Sequence, residues 1–204
     1  MQQERSRRSN AERSDAMRAS LIAAARFLFV EKGYSETGTP EIVEAAGVTR
    51  GALYHHFADK KALFEAVVRS ESATVGSEVQ NAAPASAAPA QALTLGGAAF
   101  LEAMSQPGRA RLLLLDGPAV LGREAMDAID EEYVVGALRD GLQLAMDRAG
   151  VSNISLDAAT ALFSAAFDRA ALAIAAGGDP KAYLTAIGAM LRGVLASGAS
   201  PSGG

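Results

Sequence analysis

The stretch "AAGVTRGALYHHF", residues 45–57, decides how this chain is read. Gly47 separates two short segments of helical apolar spacing, and Thr49 offers an oxygen to the free amides of a helix's first turn. In the helix that follows, Leu53 and Phe57 lie four apart and face inward, which leaves Arg50, Gly51, Tyr54 and His55 on the outside. Upstream, "TGTPEIVEAAG" reads as a short helix with Thr39 as its cap, Pro40 in its first turn, Glu41 against the positive end of its dipole and Gly47 as its stop. Before it, a longer helix is expected over residues 14–32, with Met17, Leu21, Ala25, Leu28 and Phe29 on one face and Gly33 as its left-handed stop. After it, Asp59 caps a fourth helix through residue 80, whose Leu63, Phe64, Val67 and Val68 close a small core.

Two short helices joined by a glycine-containing turn, packed by a longer preceding helix, make a helix-turn-helix. Its second helix fits a DNA major groove. Thr49 and the neighbouring amides suit a phosphate, and Gly51 and Ala52 let the backbone approach closely. Arg50 can donate to guanine or to a phosphate, while Tyr54, His55 and Lys60 reach sideways to the phosphate backbone. Adjacent histidines on a helix point about 100° apart, so His55 and His56 do not readily share a metal ion. They are the only two histidines, there is no cysteine, and no nucleophile motif accompanies them. No catalytic residue, metal or cofactor is therefore expected; the plain alternative for His56 is packing against the preceding helix.

The segment "GYSETGTPEIVEAAGVTRGALYHHFADKKALFEAVV", with "LIAAARFLFVEKG" before it, closely resembles the DNA-binding region of TetR/AcrR-family transcriptional regulators over residues 20–68. The combination "AGV", "LYHHF" and "K..LF" is specific to that resemblance. The family's usual paired threonines and Ile-Ala are replaced here by "TGT" and "IVEAA", and Pro40 removes a side chain from this region. The resemblance implies an all-α dimer that reads a palindromic double-stranded DNA operator and carries a ligand pocket in its second half. Carried over by position, it places Thr39, Thr49, Arg50, Gly51, Tyr54, His55, His56 and Lys60 at the DNA.

Composition agrees with this polarity. The net charge is −4, yet up to residue 70 there are eleven Lys and Arg against nine Asp and Glu, and beyond it eight against fourteen. The half facing a polyanion is thus the N-terminal one. The start has no apolar stretch of signal-peptide type, and no uninterrupted apolar run approaches a membrane span, so a cytoplasmic protein with no membrane partner is expected. The divisions expected are a flexible arm at 1–13, a helix-turn-helix domain at 14–58, a connecting helix at 59–80, a ligand-binding and dimerisation domain at 81–197, and a flexible tail at 198–204. The uncharged, two-proline stretch at 81–90 marks the boundary.

In the second half, helices are expected over 91–105, 107–115, 118–149, 156–176 and 180–196, with Asp116 and Gly117 forming a turn before Pro118. Tyr183, Leu184, Ile187, Met190, Leu191 and Val194 form a stripe on the last helix, which reads as the seam of a homodimeric four-helix bundle. Phe100, Met104, Met126, Ile129, Tyr133, Phe163 and Phe167 are candidates to line a pocket for a small apolar ligand, with Tyr133 offering a hydroxyl and most of the charges turned to solvent. Ordinary core packing is the competing reading for each. A repressor released by such a ligand is the leading expectation. The alternatives are a DNA-binding regulator controlled by a protein partner or without an inducer, and a small helical enzyme, which the residue inventory disfavours.

Overall fold

The computed structural model describes residues 2–199, and among them every regular element is helical. Helix α1 (Gln2–Lys32), α2 (Thr39–Ala46) and α3 (Arg50–His56) pack with the first half of α4 (Lys60–Gln80). Gly33 and Gly47 sit in the left-handed region, at φ 84° and 66°, and end α1 and α2 where no side chain resists that conformation. Leu21, Phe29, Ile42, Leu53, Leu63 and Phe64 are fully buried, and the rings of Phe29, Phe64 and Tyr34 meet within 5.0–5.7 Å. Met17, expected on the inner face, is exposed, because α1 there extends past the short helices it packs. The expected arm at 1–13 is helical from Gln2 onward. It lacks proline and glycine, so the packed helix propagates backward through good helix formers. Met1 and residues 200–204 lie outside the described residues.

The chain turns through residues 81–88 and enters α5 (Pro89–Met104) with proline in its first turn. Then come α6 (Arg109–Arg111), a π-helical turn (Leu112–Asp116) and α7 (Gly117–Leu121), which form one continuous rod. The expected turn at Asp116 and Gly117 is therefore absent: both are right-handed helical, and the wide π turn relieves the clash Pro118 would make one turn back. The break falls at Gly122, at φ 93°. The expected helix at 118–149 is accordingly divided into α8 (Arg123–Asp130), a second π turn (Glu131–Val135) and α9 (Gly136–Ala149). Helices α10 (Leu156–Ala175) and α11 (Pro180–Ala196), capped by Ser155 and Asp179, stand where the periodicity puts them, and a short turn (Ser197–Ala199) follows.

Helix α4 belongs to both halves. Its Leu63, Phe64, Val67 and Val68 complete the N-terminal core, and one apolar cluster continues along it into the second half. The stripe on α11 is turned differently from expectation. Leu184, Ile187 and Leu191 meet Leu138, Leu142 and Phe163 of the same chain, and only Met190 of the six is exposed. Helix α11 packs against α5, α9 and α10, and its branched side chains turn toward them, so much of the stripe is covered within the monomer. Helix α10 is long and apolar enough by composition to cross a membrane, but it carries Asp168 and Arg169 mid-length and packs against α5, α9 and α11.

Candidate nucleic-acid interface and cavity

The exposed face of α3 is built from its first residue. Thr49 stands in extended conformation at φ −88° and its Oγ1 accepts a hydrogen bond from the Ala52 amide at 3.2 Å, which starts the helix and leaves the preceding amides outward. Arg50, Gly51, Tyr54 and His55 are all exposed, and the Arg50 guanidinium lies 5.5 Å from the centre of the Tyr54 ring. Hydrogen bonds from Thr39 and Arg50 to the Tyr54 phenol oxygen draw its pKa below the ordinary tyrosine value. Thr39 is thus part of this face. It is not the cap of α2, as expected: the capping position belongs to Gly38, which has no side-chain oxygen, and Thr39 is already helical.

His55 and His56 stack edge-on at 5.3 Å, and His56 is half-buried with its ring 6.5 Å from Phe57, between the two readings the sequence left open. Lys60 departs from expectation. Its ammonium donates to the carbonyls of Tyr34 and Thr37 at 2.9 and 3.0 Å and rests 4.2 Å above the Tyr34 ring, so it ties the turn after α1 to the start of α4. Arg18, which sequence reasoning passed over, sits 5.3 Å from the Phe57 ring and brings a cation beside the end of α3. It lies one turn before Leu21 on the outer edge of α1, a position that periodicity alone does not distinguish from a solvated one.

A cavity of about 220 Å³ lies between α4, α5, both π turns, α9 and α10. Phe100, Met104 and Phe167 line it, with Phe100 and Phe167 edge to face at 5.7 Å. The other candidates are elsewhere. Ile129 is solid core, Met126 packs beneath Gly117, and Phe163 faces a small void against Leu184 and Leu191. Tyr133 directs its hydroxyl to Glu132 and Arg69 outside the cavity, and the bond to Glu132 raises its pKa. A Cβ on Gly76 would collide with the Tyr133 carbonyl, so α4 and the second π turn touch backbone to backbone there.

Two carboxylates depart from the expectation that most charges here turn to solvent. Asp130 and Asp168 line the cavity, and burial pushes both carboxyls up to about 6, with the charges of Asp168 and Asp127 adding to the effect at Asp130. The signal existed in the spacing: Asp130 lies four residues after Met126, and Asp168 four after Ser164, each on an inward edge. Ser72 of α4 also lines the cavity and is 1% exposed.

Thus a short capped helix presents an aromatic, a guanidinium and a bare backbone to solvent, while a longer helix carries its base to a cavity: the architecture of a helix-turn-helix transcriptional regulator. Comparison with known proteins agrees. The sequence profile of bacterial regulatory proteins of the tetR family matches residues 21–67, and that of the tetracyclin repressor-like C-terminal domain matches residues 90–198. The chain belongs to the TetR family of transcriptional regulators, whose activity is regulation and not catalysis. It is 36% identical over 92 residues to the A-factor receptor protein of Streptomyces griseus, which covers 45% of this chain and 31% of that protein. The chain spans about a third or less of the length of the curated relatives it matches. A TetR-family regulator from Pectobacterium atrosepticum superposes with a TM-score of 0.68 at 30% identity, covering 91% of this chain and 95% of that one. RolR in complex with resorcinol shares the fold, with a TM-score of 0.66 at 19% identity over 95% of this chain and 98% of that one.

Proposed function

We propose that the protein is a cytoplasmic, homodimeric repressor that binds a palindromic operator and is released by a small, largely apolar ligand. The observation that carries this reading is the continuity of α4, which leaves the recognition module at Lys60 and forms a cavity wall through Ser72, Val75 and Val79. Between those ends, Glu71 accepts from Arg26 of α1 at 2.8 and 3.1 Å and from Arg109 of α6 at 2.8 Å. Gly108, at φ 74°, packs without a Cβ against Val30 of α1 just before that arginine. A ligand that prefers one placement of α4 therefore also prefers one placement of α1 and α3, and shifts the population accordingly.

At the DNA, Arg50 reads a guanine or holds a phosphate, Tyr54 is positioned for the backbone by Thr39, and the Thr49 end of α3 with Gly51 admits a phosphate. His55 and His56 flank them, and Lys60 acts by positioning the module. Dimerisation uses the outward faces of α10 and α11, where Leu162 is 69% and Met190 49% exposed among small residues such as Ala186, Ala189 and Gly193.

Fluorescence anisotropy with DNA from upstream of the protein's own gene tests the reading. Arg50→Ala and Tyr54→Ala should each weaken binding by about 1–3 kcal/mol with the dimer folded, and wild-type affinity should fall steeply with salt. Unchanged affinity in both variants, or a flat salt dependence, would refute the assignment.

A further inference from the structure

Asp130 and Asp168 sit between the cavity and an outer groove that runs over α8, α9 and α10, since both residues line both. Among the described residues, neither carboxylate meets a cation within 4 Å nor accepts a side-chain hydrogen bond. The cations that could have served them are engaged: Arg139 pairs with Asp157, and Arg123 with Asp127 at 3.6 Å. Asp127 and Glu131 add further negative charge to the groove. Two buried hydroxyls on these walls are also without a partner, Ser72 Oγ on the cavity side, 1% exposed, and Thr160 Oγ1 on the groove side, 4% exposed. A fold does not keep unpaired acids and orphan hydroxyls beside an apolar void without loss of stability.

From this juxtaposition we propose that the effector is a lipophilic amine, whose ammonium lies between Asp130 and Asp168 while its apolar body occupies the cavity against Phe100, Met104 and Phe167. The proposal rests on the reading of the cavity as the effector site, and refines it from an apolar ligand to a cationic amphiphile. Both acids titrate near 6, so a ligand ammonium at neutral pH finds them largely ionised and supplies the counter-charge that Arg123 and Arg139 do not. With Asp127, Asp130, Glu131, Asp157 and Asp168 against Arg123 and Arg139, the groove carries net negative charge and concentrates cations beside the two carboxylates. A hydroxyl or amine along the ligand gives Ser72 the partner it lacks.

The test is a matched triplet of probes, 4-phenylbutylamine, 4-phenylbutanol and 4-phenylbutyrate, titrated into the full-length protein at pH 7.5 by calorimetry and scored in parallel for operator release. The amine should bind at least about tenfold more tightly than the alcohol, with the carboxylate weakest. Asp130→Asn with Asp168→Asn should abolish that preference while the alcohol still binds, which separates loss of recognition from loss of fold. Equal binding of amine and alcohol, or a preference that survives the double substitution, overturns the amine but leaves the cavity as an effector site. If all three probes fail to bind, the amine and the effector-site reading both fall.

Discussion

Asp130 and Asp168 show how one residue's surroundings set its chemistry. Their carboxyls titrate near 6 in the fold against 3.8 in an open chain, so between those values the folded state holds more protons than the unfolded one. Stability from this pair is accordingly full below pH 4 and is lost as pH rises through 6. Asp168→Asn should therefore stabilise the fold at pH 7.5 by on the order of 1–2 kcal/mol, seen as a higher melting temperature, and the gain should vanish toward pH 4. Thermal unfolding at the two pH values decides it; a gain of equal size at both would mean that ionisation is not the cause. Glu71 shows the opposite sign. Burial pushes its pKa up, but hydrogen bonds from Arg26 and Arg109 outweigh that and hold it below the ordinary carboxylate value. Its contribution is present at neutral pH and fails only as pH falls into the acid range.

Among the elements, α4 has the most varied duties. Its apolar first half is a core strut, its Glu71 a buried junction with side-chain exposure of 10% against 8% for Arg109, and its second half a cavity wall. Removing one partner of such a junction strands the others, so Glu71→Gln should cost about 3–5 kcal/mol in urea unfolding. Operator affinity that no longer responds to the effector, in the fraction that remains folded, would mark Glu71 as the coupling point as well. At Gly76 the constraint is steric. A methyl group there meets the Tyr133 backbone and cannot be relieved by a rotamer change, so Gly76→Ala should destabilise by about 1–3 kcal/mol, whereas Gly51→Ala, whose nearest neighbour is 3.9 Å away, should leave unfolding nearly unchanged.

For the whole molecule, the surface proposed for dimerisation is the outward face of α10 and α11. Leu162→Arg should give monomers that sediment as such and no longer shift operator DNA, because the charge is buried without a partner in a two-fold bundle. Leu184→Arg and Leu191→Arg should behave differently. Those side chains border a small apolar void of the same chain beside Phe163, so a charge there should lower the unfolding midpoint of the protomer itself. A dimer that survives Leu162→Arg would move the interface to another face.

Read alone, residues 39–59 determined a helix-turn-helix, the caps at Thr49 and Asp59, its buried Leu53 and Phe57, and its outward Arg50, Tyr54 and His55. These follow from interactions within a few residues, helical period, capping and glycine's left-handed freedom, which local sequence encodes directly. Spacing along the last helix located a stripe but not its partner, and Phe and Met between 100 and 167 located apolar faces but not a void. Whether Leu184 meets its own chain, whether Tyr133 or Ser72 borders the cavity, and whether Asp130 and Asp168 face only solvent or also the cavity depend on how helices far apart in sequence are rotated. Only the tertiary structure decided them, because a helix repeats every 3.6 residues whatever it packs against, while burial, and with it charge and pKa, belongs to the neighbours.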